Sequence, residues 1–331
     1  MAYIEKIAVY LPEKILTNDE LSAAFPDWSS NKIGRKTGIL SRHIAGDHET
    51  ALDLAEKAAD KVLADYPREA IDFLLFCTQS PDYFLPSSSC VLQNRLGLSK
   101  NCGALDYNLG CSGYVYGLSL AKGLISSGAA RRVLLITAET YSKHLNPLDR
   151  SSRTIFGDGA AATIISGEKE LIGQFVFGTD GSGAGNLIIP NGGMRTPYDP
   201  DASVREYQSG SFISDNDLYM NGPEIFNFTI EAVPAMFDRV LLLNDTKLEN
   251  IDLVVFHQAN RFMLEHLRDK LNIPEEKFFM DLHDTGNTVS ASIPIALEKA
   301  VQCGRIQPAS KLLLAGFGVG YSWAGTILQW S

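Results

Sequence analysis

The sequence predicts an α/β fold made of two similar halves, and three observations predict it. A segment of the first half recurs in the second. Short apolar runs alternate with amphipathic segments along the chain. Within those runs consecutive residues are apolar, as in strands of a parallel-rich sheet covered on both faces. The recurrence is plainest in 71-IDFLLF-76 and 251-IDLVVF-256, offset by 180 residues (251 − 71), with three identities and apolar residues at the other three places.

The elements then follow in the same order in each half. Amphipathic helices are expected at 50–66, TALDLAEKAADKVLADY, and at 223–243, PEIFNFTIEAVPAMFDRVLLL. Each leads to the recurring strand, which is followed by Cys77 in the first copy and His257 in the second. Helical segments come next, 91-VLQNRLGLS-99 and 262-FMLEHLRDKLNI-273, and then aspartate-bearing strands, 105-LDYN-108 and 279-FMDLHD-284. Gly110-Cys111 and Gly286-Asn287 each precede a helix of small residues, and buried strands follow at 133-VLLIT-137 and 312-LLLAG-316. Charge and glycine interrupt the apolar pattern at 167-GEKELIG-173, so the halves are expected to be 1–170 and 171–331.

Composition removes several classes of function. The 331 residues are 45% hydrophobic and 21% charged, an ordinary globular balance. No run of about 18 apolar residues is present, so no membrane span is expected. The start, MAYIEKIAVYLPEKILTNDE, is charged at Glu5 and Lys6 and lacks the pattern of a signal peptide, and a cytoplasmic location is expected. A net charge of -10 argues against nucleic acid or an anionic membrane as partner. Five cysteines, with no CxxC pair and no histidine at ligand spacing, argue against disulfides and against a metal site. The glycine-rich stretches 157-GDGA-160 and 178-GTDGSGAG-185 fit neither a P-loop nor a dinucleotide fingerprint, so no nucleotide cofactor is expected.

Cys111 stands between Gly110 and Gly113 at the start of an apolar helix. If the halves pack about a pseudo-two-fold axis, equivalent helix starts face one another, bringing Cys111 toward Asn287, while the equivalent strand end supplies His257. A thiol at a helix start meets unpaired N–H groups and the positive end of the dipole, which favour the thiolate. That is how a nucleophilic cysteine is built. Cys77, Cys90, Cys102 and Cys303 read as structural, and His43, His48, His144, His266 and His283 as surface or turn residues.

A set of motifs in a fixed order extends this reading: YLP…TN from Tyr10 to Asn18, KTGI…RHI at 36–44, DYNLGCSG at 106–113, FGDGAAA at 156–162, MNGPEIF at 220–226, HQAN at 257–260, GNTVSASIP at 286–294 and GFGVGYSW at 316–323. In these the chain resembles the thiolase-fold condensing enzymes, and within them the β-ketoacyl-acyl-carrier-protein synthase III family, over essentially its whole length. The resemblance implies a five-layer αβαβα fold and a homodimer. It implies decarboxylative condensation of an acyl-thioester, such as an acyl-coenzyme A, with malonyl-acyl carrier protein. Cys111 would carry the acyl group, His257 and Asn287 would stabilise the enolate, and the backbone N–H groups of Cys111 and Val319 would form the oxyanion hole. No cofactor is implied.

Departures from the family pattern concern specificity. Alignment on Thr37-Gly38-Ile39 puts Lys32 and Lys36 where the family carries a coenzyme-A-gripping tryptophan and arginine, with Trp28 displaced and adenine stacking weakened. Arg150 matches a coenzyme-A contact, Arg261 is shifted one place from the usual arginine after HQAN, and Phe262 stands in its place. Leu85 occupies the position that crosses the dimer interface and closes the partner's acyl tunnel. Segment 191–210 reads as an exposed insertion whose Arg195 and Arg205 could meet phosphopantetheine or a carrier. Cys303 lies outside the 316–320 loop, so thiolysis is not expected. The alternatives are acyl transfer from Cys111 to a hydroxyl or amine, for which Asn287 has no use, and a non-catalytic carrier-binding subunit, which the intact trio makes redundant.

Overall fold

A computed structural model of the chain describes every residue except Ser209. Two five-stranded sheets form its frame. The first contains β1 (Tyr3–Tyr10), β2 (Phe73–Cys77), β3 (Gly103–Tyr107), β4 (Arg132–Glu139) and β5 (Gly159–Ser166), in the order β1-β5-β4-β2-β3. The second contains β6 (Ile172–Thr179), β7 (Leu253–Phe256), β8 (Phe278–Phe279), β9 (Lys311–Gly318) and β10 (Ser322–Gln329), in the order β8-β7-β9-β10-β6. Corresponding strands occupy corresponding places. In each sheet three neighbours run parallel and the last two pairings are antiparallel.

The period of two in each strand divides its apolar run between two cores. In the first sheet Leu74 and Phe76 face α1 (Ala51–Val62) and α2 (Ser88–Arg95). Leu75 turns the other way, onto α3 (Gly113–Ser126). In the second, Val254 and Phe256 face α4 (Gly222–Leu243) and α5 (Arg261–Lys270), while Leu253 and Val255 face inward. The central core joins α3 to α6 (Ser292–Gln302) between the sheets, with Val115 and Leu118 beside Ile293 and Leu297. The layers are therefore αβαβα, and each fully buried leucine or phenylalanine contributes about 1.5–3 kcal/mol.

Local chemistry explains the boundaries. A capping box between Thr50 and Asp53 starts α1, and Asn260 caps α5 by accepting from Met263 N–H at 3.0 Å. The expected strand at 279–284 is shorter than the sequence indicated, because the chain leaves the sheet after Phe279. The segment 191–210 is mostly exposed, but Arg205–Gln208 forms a two-stranded ladder with Ser211–Ile213. An N-terminal excursion between β1 and α1 is tied down where Asn18 Oδ1 accepts two bonds at 2.9 Å from the fully buried Arg42 guanidinium. Asn18 Nδ2 in turn donates to Ile39 O at 2.7 Å, just after the helix Ser30–Thr37.

Candidate active site

After β3 the chain makes a tight turn, with Gly113 N–H donating to Gly110 O at 2.8 Å, and α3 begins two residues after Cys111. Cys111 is buried beneath β9. The approach is so close that a Cβ at Gly318 would lie 2.8 Å from Cys111 Sγ, and one at Gly316 would lie 2.6 Å from the Cys111 carbonyl oxygen. Burial and then the charge of Glu139 push the thiol up to about 12, against the lowering effect of the Val319 and Cys111 N–H groups. The expected thiolate is thus not the resting form. The N–H groups of Cys111, just before the helix, and of Val319, just after β9, face the sulfur, but desolvation outweighs them.

His257 follows β7, and its backbone N–H continues the ladder to Ala315 O at 2.8 Å. Its ring is 2% exposed, and Nδ1 lies 2.7 Å from Ser292 Oγ. Burial holds the ring down at about 3, so it is a neutral imidazole. A Ser292 hydroxyl donating to Nδ1 leaves the ring proton on Nε2. The next residue of HQAN, Gln258, is fully buried and locks the loop: its Nε2 donates to Phe256 O at 2.6 Å and its Oε1 accepts from Asp281 N–H at 2.7 Å.

Asn287 lies against Phe156 in a parallel bridge, accepting from Gly157 N–H at 3.0 Å and donating its own N–H to Ile155 O at 2.9 Å. FGDGAAA therefore holds the Asn287 backbone; a Cβ at Gly157 would collide with Thr285 O at 2.2 Å. The side-chain Oδ1 accepts from Val289 N–H at 2.9 Å. With the oxygen satisfied locally, the amide NH2 is the half of the side chain left for a ligand. The repeat's register needs correction here. Cys111 stands two residues before its helix (113 − 111), but Asn287 stands five before its own (292 − 287), because an extra turn, Val289–Ala291, intervenes.

Cys111, His257 and Asn287 line one narrow cavity of about 120 Å³. Its lining residues Ile155, Met220, Gly222 and Asn260 also line a wide mouth of about 790 Å³, so the two are continuous. The mouth is basic, with Arg35, Lys36, Arg150 and Arg261 around Trp28. The Arg150 guanidinium lies 4.8 Å from the Trp28 ring centroid and Lys36 Nζ 4.9 Å from it.

Two family models match the chain: the 3-oxoacyl-[acyl-carrier-protein (ACP)] synthase III model over residues 105–181 and its C-terminal counterpart over residues 241–330. The β-ketoacyl-[acyl-carrier-protein] synthase III of Clostridium perfringens is 36% identical over 325 residues, covering 97% of each chain. A crystal structure of a 3-oxoacyl-(acyl-carrier-protein) synthase III superposes with a TM-score of 0.97 at 54% identity, covering 99% of both chains. A 3-oxoacyl-(acyl-carrier protein) synthase from Burkholderia xenovorans gives 0.92 at 39% identity, covering 100% of this chain and 94% of its own. The chain belongs to the 3-oxoacyl-[acyl-carrier-protein] synthase III family. It is an enzyme of that condensing type, a transferase with the thiolase-like α/β fold.

Within this synthase III framework the expected residues divide. Cys111, His257 and Asn287 meet in one cavity, and Val319 presents its N–H to the Cys111 sulfur. Lys36, Arg150 and Arg261 line the mouth, whereas Lys32 does not; its Nζ donates to Asp27 O at 3.2 Å. Trp28 is not displaced from the mouth, as the ungapped alignment had it. The residues before the Ser29 cap fold back beside Arg150 and bring the ring there. Leu85 is 83% exposed and lines neither hollow. Of the insertion arginines, Arg205 pairs with Asp215 at 2.6 Å, and among the described residues of that segment Gln208 reaches the mouth. His144 sits in a short turn as expected but is half-buried, its Nε2 3.4 Å from Ser80 Oγ.

Sequence reasoning missed Arg35, Ser292 and Glu139. A signal existed for the last, since Glu139 is a lone acid closing the apolar run 133-VLLITA-138. Among the described residues no three His, Cys, Asp or Glu side chains gather to hold a metal ion, and no helix is long and apolar enough to cross a membrane.

Proposed function

We propose that this chain condenses an acyl-coenzyme A with malonyl-acyl carrier protein through an acyl-Cys111 intermediate. The observation that carries the reading is the joining of three groups at one cavity end: a buried thiol, a neutral imidazole and an amide whose oxygen is already occupied. Thioester exchange places the acyl group on Cys111, and the thiol proton leaves with the coenzyme A sulfur. Malonyl-carrier then enters the same cavity, its thioester oxygen accepting from His257 Nε2–H and Asn287 Nδ2–H. Loss of carbon dioxide leaves the bonding pair of the broken carbon–carbon bond as an enolate on that oxygen. The enolate carbon attacks the acyl carbonyl, whose developing oxyanion meets the N–H groups of Cys111 and Val319. Collapse expels the Cys111 sulfur and releases a 3-oxoacyl-carrier. The new bond takes its electrons from the one that broke, so no redox cofactor takes part.

The mouth suits the rest of the donor. Trp28 and Arg150 offer a flat ring and a planar cation to an adenine face, and Arg35, Lys36 and Arg261 offer charge to its phosphates. A second hollow of about 230 Å³ shares Tyr141 and Leu187 with the catalytic cavity and is lined also by Val319. It would receive the acyl chain, and in a homodimer Leu85 of one copy would close the hollow of the other; the exposed run Tyr83, Phe84 and Leu85 supports that contact. Acyl transfer to a hydroxyl or amine is the weaker reading, because it generates no enolate for Asn287 to hold.

Intact-protein mass spectrometry after incubation with acyl-coenzyme A donors, followed by a malonyl-carrier chase, tests the proposal. The expected result is an acyl mass on Cys111 that the chase clears, with a 3-oxoacyl-carrier formed. An acyl mass that malonyl-carrier leaves in place would overturn condensation in favour of transfer.

A further inference from the structure

Glu139 lies at the end of β4, and the reaction above does not use it. Two of its hydrogen-bond donors, Gln79 and Ser290, pack against Gly110 and Gly113 on either side of Cys111, where added Cβ atoms would lie 2.5 Å from Gln79 Oε1 and 3.6 Å from Ser290 Cβ. The Glu139 side chain is fully buried and accepts three hydrogen bonds: from Gln79 N–H at 3.0 Å, from Ser80 Oγ–H at 3.2 Å and from Ser290 Oγ–H at 2.7 Å. Ser290 belongs to the turn between Asn287 and Ser292, and Ser292 bonds His257. One carboxyl of the first half therefore anchors the segment of the second half that carries or orients two of the three cavity residues.

The titratable groups around Glu139 leave its charge unbalanced. Cys77, Cys111, Tyr107 and Tyr141 all feel it, and each is neutral when protonated. Asp158 opposes its ionisation. His144 reaches it through the shared Ser80 hydroxyl, but burial lowers that ring's affinity for a proton. Among the described residues no lysine, arginine or histidine forms a salt bridge with it. Two negative charges in one buried cluster, away from water, repel strongly.

We propose that Glu139 is a positioning residue whose protonation state governs Cys111, so that the buried pair carries one negative charge at a time, on the carboxylate or on the sulfur. The exchange balances without a further reactant: the thiol S–H loses its proton, the carboxylate gains one, and the net charge of the pair is unchanged. The consequence is a shared titration. While Glu139 is neutral, each rise of one pH unit multiplies the thiolate fraction about tenfold. Once the carboxyl ionises, protons leave it in preference to the thiol, and the thiolate fraction levels off. It climbs again only when the second charge is forced in. Burial places the carboxyl at about 8, which locates the break.

This inference rests on Cys111 being the nucleophile, and the experiment separates the two. The full-length protein is alkylated with iodoacetamide from about pH 6 to about pH 10, and labelling of the Cys111 peptide is timed by mass spectrometry, with exposed Cys90 and Cys303 as internal references. The expected wild-type profile of Cys111 rises about tenfold per unit and then levels near pH 8, with the references serving to normalise reagent concentration at each pH. In Glu139→Gln the rise should continue, so that at pH 9 the variant is labelled about tenfold faster than wild type. A wild-type profile without a break, or a break that persists in Glu139→Gln, overturns the proposal. If Glu139→Gln does not fold, Ser290→Ala supplies the test: with one donor fewer the carboxyl ionises later and the break moves to higher pH, and an unmoved break overturns the proposal. Absence of Cys111 labelling throughout would instead remove the nucleophile on which both readings stand.

Discussion

Cys77 and His257 occupy the same place in the two halves, at the ends of β2 and β7, yet of the two only His257 lines the cavity that holds Cys111 and Asn287. Cys77 Sγ is turned onto Leu109 O at 2.9 Å, and burial raises its thiol far above the usual range. A Cβ at Gly113, the first residue of α3, would lie 2.4 Å from that sulfur, so the helix start seals it in. At the corresponding place in the second half, the extra turn Val289–Ala291 lets Ser292 begin α6 as the partner of His257. The comparison teaches that a duplicated frame supplies equivalent positions, while the turn before each central helix decides which becomes chemistry.

The largest test of this contrast removes each of the two thiols in turn. Cys111→Ala should lose the acyl mass completely in the donor assay, whereas Cys77→Ala should keep it and show its effect as a lower melting temperature, from the space left by the buried sulfur. Loss of loading in Cys77→Ala at a temperature where it is folded would break the comparison. Next come the two donors to the enolate. Asn287→Ala and His257→Ala should each lower condensation about 10²–10³-fold while still accepting the acyl group. If either abolished loading as well, it would belong to the first step instead.

Smaller effects should arise farther out. Trp28→Ala or Arg150→Ala should raise the KM for acyl-coenzyme A about tenfold, the worth of roughly 1.4 kcal/mol of stacking, and leave acyl-pantetheine unchanged. Equal losses on both donors would contradict the placement of adenine at the mouth. The smallest expected effect is in pH dependence. Because burial holds His257 at about 3 rather than its ordinary 6.5, malonyl decarboxylation should show no break at the ordinary histidine value. The sign for stability is the opposite of indifference: the unfolded chain takes up the histidine proton first, so the folded state should lose stability as pH falls below 6.5 toward 3. A break in activity near 6.5 that vanishes in His257→Gln would overturn the neutral ring.

Much of the frame was legible because apolar period and repetition are local properties of a chain. The pair 71–76 and 251–256 forecast two strands with the same neighbours, and both lie where the repeat put them. The motifs also had local causes that a single sequence does not display: Gln258 locks the loop after His257, and Gly157 clears the Asn287 segment. Trp28 was misplaced because an ungapped alignment on Thr37-Gly38-Ile39 cannot register a chain that folds back before its helix cap.

By itself, then, the sequence determined the double α/β layering and singled out Cys111, His257 and Asn287 as the candidate trio, since hydrophobic patterning and motif order need no third dimension. Only the tertiary structure decided their protonation and their support. The thiol is neutral because it is desolvated, and the imidazole is neutral for the same reason. Glu139 reaches the turn after Asn287 through Ser290, 151 positions away. Burial and through-space charge depend on which distant segments are brought together, and no local pattern encodes them.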